Sequence, residues 1–167
     1  MRHLQELTLT RSEIYSIGRV AFHWSYLEFA AEHLIWSLLR TKTHVGRAVT
    51  EETQLRARLK IIQKLFDAMP QLASISADLP QLIKEIKALE PDRNLIIHGT
   101  WKRDNRIGHP AVTALRRSSK SRGHVHGEYF PPERFQKIVD GIIGAGRRLI
   151  LISGAVDRAL ASSDDKS

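Results

Sequence analysis

Apolar residues recur at helical spacing near the start of the chain: Ile14, Ile17, Ala21, Trp24, Ala31, Ile35 and Leu38. This spacing predicts one long first helix, with Thr10 or Ser12 as its cap. A flanking row, Val20, Leu27 and Leu34, widens the stripe. A further row, Tyr15, Phe22, Phe29 and Trp36, repeats every seventh residue. At about 100° per residue it lies about a quarter turn or more from the centre of the first stripe. Arg19, His23, His33 and Arg40 fill the remaining arc. A helix with so much apolar circumference is expected to be buried on two sides, either as the central helix or against a second subunit. The shortness of the chain favours the second subunit. Glu28 is the one charge in the stripe, and a buried carboxylate needs a partner. It either pairs with an arginine or caps a neighbouring element, or it supports the active site by orienting one of its residues.

A short helical turn is expected near Val45–Val49, then a helix over about Glu52–Ala68 with Leu55, Leu59, Ile62, Leu65, Phe66 and Met69 inward. Arg56, Arg58, Lys60 and Lys64 make its other faces basic. Asp78 is the expected cap of a third helix carrying Leu82, Ile83, Ile86 and Leu89. Pro91 then predicts a kink or a fresh helix start, because proline suits a first turn and not an interior. A short helix through Arg93–His98 follows, ended by Gly99.

From Thr100 to Phe130 the helical pattern stops. Ala111–Leu115 and His124–Phe130 read as two short strands, separated by Gly, Asn, Ser and Pro. Pro131–Pro132 opens a last long helix to about Leu160, with Phe135, Ile138, Val139, Ile142, Ile143, Leu149, Ile150 and Ile152 on its apolar face. The predicted fold is mainly α, a four- or five-helix bundle with a small β-hairpin or meander inserted at about 100–130. One domain over 1–161 is expected, with 162–167 as a flexible tail.

The chain has 167 residues and no cysteine, so disulfides and thiolate chemistry are excluded and any metal site would have to use His, Asp or Glu. No metal or cofactor is expected. The N-terminus lacks an apolar run behind a basic start, and no stretch reaches roughly 18 uninterrupted apolar residues. No secretory signal and no membrane partner are expected, and the cytoplasm is the expected compartment. The net charge is +8 and unevenly spread. Lys102, Arg103, Arg106, Arg116, Arg117, Lys120 and Arg122 face a single acid, Asp104, between Trp101 and Gly123. Such a segment suits an anionic partner, RNA above all, or is a solvated basic loop. His109, His124 and His126 lie in the same region and read as polar surface rather than as metal ligands. Trp101 either stacks on a base or anchors the turn from the core.

The candidate chemistry lies in Arg93–Asn94–Leu95–Ile96–Ile97–His98. Asn94 and His98 are four apart and share a helical face, whereas Arg93 and His98 are about 140° apart. Arg93 could still reach His98 through its long side chain, at an irregular helix start, or across a dimer interface. A neutral histidine can take a proton from a ribose 2′-hydroxyl. Arginine can hold the phosphate and stabilise transition-state charge, and the amide can orient the histidine or donate to a phosphate oxygen. Alternatively His98 caps the helix and Arg93 pairs with Glu90 or Asp92. Arg103–His109 and Arg117–His124 have similar spacing, but only Arg93–His98 has the following Asn and an apolar helical context.

In these residues, and in its helical outline with a long first helix, the chain resembles the HEPN superfamily. Members often carry R-x(4–6)-H with a polar residue after the arginine. The resemblance implies a helical bundle that forms a homodimer with the two motifs facing each other. Where active, it implies metal-independent RNA cleavage leaving a cyclic phosphate, in toxins or phage defence, with an antitoxin or other protein partner. Other members have lost activity and act as binding modules. The alternative expectation is therefore a non-catalytic helical protein-interaction module.

Overall fold

The computed structural model describes residues 9–104, 111–117 and 125–164. The chain is mainly helical, with six α-helices among the described residues. They are α1 (Arg11–Leu38), α2 (Thr43–Thr50), α3 (Leu55–Asp67), α4 (Ala73–Ser76), α5 (Leu79–His98) and α6 (Pro132–Asp164). Three strands lie between α5 and α6: β1 (Thr100–Asp104), β2 (Ala111–Arg117) and β3 (Val125–Tyr129). They pair antiparallel in the order β1-β2-β3, with Trp101 opposite Ala114 and Ala114 opposite Glu128. No helix among the described residues is long and apolar enough to cross a membrane.

The chain divides into two compact units. The first holds the residues up to His23 together with Leu89–Asp140, and the second holds Trp24–Ala88 together with the chain from Gly141 onward. In the first unit Thr10 caps α1 reciprocally. Its Oγ1 accepts from the Glu13 N–H at 3.2 Å, and its own N–H donates to Glu13 Oε2 at 2.5 Å. This capping box satisfies two of the donors that a helix start leaves open. The buried apolar residues of this unit include Val20, Leu95, Ile96, Phe130, Phe135, Ile138 and Val139.

The second unit packs Leu27, Leu34, Ile35 and Leu38 of α1, Leu59, Ile62 and Phe66 of α3, Leu82 and Ile86 of α5, and Ile142 and Leu149 of α6. Each fully buried aliphatic chain contributes about 1.5–3 kcal/mol relative to exposure. Gly46 of α2 lets that helix approach Trp36, since a Cβ there would stand 2.4 Å from the indole Cδ1. The Trp36 N–H donates to Thr50 Oγ1 at 3.2 Å. Arg58, expected on an outer basic face of α3, is instead 8% exposed. It pairs with Glu32 at 2.5 Å and donates to Thr50 O at 3.1 Å and Thr53 Oγ1 at 3.2 Å. Helix α1 ends with Arg40 at φ 51°, where the Thr41 N–H bonds to Trp36 O and the Arg40 N–H to Ser37 O. This left-handed closure usually takes glycine, and a side chain there costs about 1–2 kcal/mol.

Further local expectations need correction. Helix α5 runs unbroken from Leu79 to His98 with Pro91 inside it, so Arg93–His98 is its last stretch and not a separate helix. Lys87 and Pro91 are both exposed, so solvent can serve the Lys87 carbonyl that proline leaves without a donor. The buried arc of α1 centres on Val20, Leu27 and Leu34, which puts Ile14 outside at 53% exposure. Within one chain the aromatic row is not buried: Tyr15, Phe22 and Phe29 are exposed, and only Trp36 is enclosed. Helix α6 continues through Ser162 to Asp164, and the remainder of the expected tail lies outside the described residues.

Candidate active site

Helix α5 delivers the candidate residues in its last two turns. Leu95 and Ile96 turn inward and are 6% and 1% exposed. Helical geometry then sends Asn94, Ile97 and His98 the other way. Trp101, one residue into β1, fastens the helix end. Its indole N–H donates to the Ile96 carbonyl at 3.0 Å. Its ring stacks on Phe135 at 5.8 Å and meets the edge of Phe130 at 5.7 Å. Both phenylalanines are buried. Trp101 therefore acts here as a turn anchor whose ring is occupied by aromatic neighbours.

Arg93, Asn94 and His98 come together within one chain. Arg93 Nη1 donates to Asn94 Oδ1 at 2.9 Å and lies 3.3 Å from His98 Nε2. The helix is continuous here, so the long arginine side chain covers the angular gap between positions 93 and 98. Asn94 thus positions Arg93, and reaches the imidazole only through it. A guanidinium cannot accept, so at this contact His98 Nε2 offers its lone pair and a neutral ring carries its proton on Nδ1. His98 is exposed, and Arg93 and Asn94 are half-buried.

A fourth residue, which sequence reasoning missed, braces the segment. Arg134 in the first turn of α6 pairs with Asp92 at 2.6 Å and donates to the Tyr129 carbonyl at 3.1 Å. Its guanidinium carbon lies 3.9 Å from the centroid of the Phe130 ring. Asp92, weighed from sequence as a partner for Arg93, is thus engaged by Arg134. Only an Arg four residues after Phe130 and two after Pro132 marks this brace in the sequence, and that pattern is not specific.

Glu28 belongs to the second unit, where it is half-buried and accepts the Trp24 indole N–H at 3.0 Å. Of the basic cluster, Lys102 and Arg103 fall on β1 and Arg116 and Arg117 on β2, with their side chains outside the described structure. Arg106, Lys120 and Arg122 lie outside the described residues, as do His109 and His124. Among the described residues no group of three or more His, Asp or Glu could hold a metal ion. Neither a family model, nor a curated protein, nor a solved structure matches the chain.

Proposed function

We propose that the chain is an HEPN-like, metal-independent ribonuclease: a helical bundle with a β insertion that works as a homodimer in toxin–antitoxin or phage-defence biology. The observation that carries this reading is the contact of Arg93 with both Asn94 and His98 at the end of α5. In the resting arrangement Arg93 occupies the lone pair of His98 Nε2. An RNA phosphate is a stronger acceptor for a guanidinium than an imidazole, because the bond becomes charge-assisted and bidentate. Phosphate capture would draw Arg93 away and free Nε2 at the moment the substrate is in place.

His98 then takes the 2′-hydroxyl proton, the 2′-oxygen forms a bond to phosphorus, and the bond from phosphorus to the 5′-oxygen breaks. Arg93 stabilises the charge on the phosphoryl oxygens, and Asn94 holds Arg93 in place. The departing 5′-oxygen needs a proton, which His98 of a second copy would supply. The segment from Lys102 to Arg122 would hold the RNA backbone. Mixed tRNA and mRNA incubated with the protein and EDTA should be cut to products with cyclic phosphate ends. The Arg93→Ala/His98→Ala variant should leave the pool intact; equal cutting by that variant would sink the assignment.

A second reading, a non-catalytic interaction module, is favoured by one observation: Tyr15 and Phe22 on α1 are each 69% exposed. Exposed aromatic rings on one helical face suit a protein partner. Salt-sensitive RNA association without any product would favour this module over the enzyme.

A further inference from the structure

Polar side chains of the second unit converge on a cleft of about 310 Å³ lined by His33, Ser37, Arg40, Thr41, Thr43 and Asp157. Its floor is built. His33 Nδ1 lies 2.9 Å from Ser153 Oγ, which lies 2.8 Å from Ser37 Oγ, and Ser153 is 1% exposed. With Nδ1 engaged, Nε2 is the ring nitrogen left for a ligand. Thr43 opens α2, whose N-cap Lys42 makes no side-chain cap bond. Arg40 enters this cleft from a left-handed backbone position that a glycine would occupy at no steric cost. It is the one lysine or arginine that lines the cleft.

We propose that this cleft binds a small organic phosphate carrying hydroxyl groups. Arg40 supplies the charged donor for the phosphate, and the hydroxyls of Ser37, Thr41 and Thr43 add neutral ones. The positive end of α2 favours the same charge. Asp157 is the one acid lining the cleft, and it repels a bare anion but accepts from a ligand hydroxyl. The volume is at the small end for ligand sites, which fits a sugar phosphate rather than a dinucleotide. The site uses none of the residues assigned to RNA cleavage, so it stands or falls separately from that reading.

Calorimetric titration of the full chain with ribose 5-phosphate, inorganic phosphate and ribose tests the proposal. Ribose 5-phosphate should bind saturably, inorganic phosphate more weakly and ribose not at all. Arg40→Gly should weaken ribose 5-phosphate by roughly ten- to hundred-fold, the size of a charge-assisted hydrogen bond, while melting at or above the parent temperature. Asp157→Ala, a surface change, should weaken ribose 5-phosphate without weakening inorganic phosphate. No saturable binding of the sugar phosphate, or unchanged binding in Arg40→Gly, overturns the site. Inorganic phosphate binding as tightly as the sugar phosphate overturns the ligand class.

Discussion

Two polar clusters, one in each unit, are handled in opposite ways. Around Arg58 in the second unit the polar groups close on each other: Arg58 on Glu32, Thr50 and Thr53, and Trp36 on Thr50. Arg58 is 8% exposed and Thr50 is fully buried. At the end of α5 in the first unit, Arg93, Asn94 and His98 sit half-buried to exposed, and the Arg93–His98 contact is a long 3.3 Å. Buried partners cannot be exchanged for water or ligand without a large loss, whereas an exposed, weak contact can be given up to a substrate. The contrast separates polar residues that hold the fold from those a substrate can re-engage.

Three substitutions can break or sharpen that contrast, from the largest effect down. Arg58→Ala strips Glu32 of its buried partner and should cost about 3–5 kcal/mol, read from the midpoint of urea unfolding. The double change Glu32→Leu/Arg58→Met should recover most of that loss, because a buried pair replaced by apolar chains is often neutral. Gly46→Ala forces a methyl into the Trp36 ring and should cost about 1–3 kcal/mol, with a change in the near-ultraviolet signal of the indole. His98→Ala should shift stability by no more than about 0.5 kcal/mol, as exposed positions do, while removing RNA cleavage. A loss of stability at His98 comparable to that at Arg58 would erase the distinction between the two regions.

The local features were the legible ones. Thr10 and Glu13 stand three apart before an apolar repeat, and the capping box follows from that spacing. The Arg93–His98 segment stood out because polar groups interrupt an apolar helix. Their mutual contact was not determined, because helical geometry places them on different faces and a side-chain conformation closes the gap. The fresh helix start expected at Pro91 does not occur, because the penalty for proline depends on whether the orphaned carbonyl meets water, which is a property of the fold. Arg58 and Arg134 eluded the sequence for a related reason. Their partners, Glu32 and Asp92, lie far along the chain, the latter 42 positions away, and no local period announces such a pair.

The three tryptophans have a practical consequence. Trp24 and Trp36 belong to the second unit, and Trp101 to the first. Trp36 is 5% exposed and bonded to Thr50, while Trp101 is bonded to a backbone carbonyl among phenylalanines. Each unit therefore carries its own optical reporter. A chain left with Trp101 alone would broadcast the state of the α5 terminus, by emission colour and lifetime, independently of the other unit.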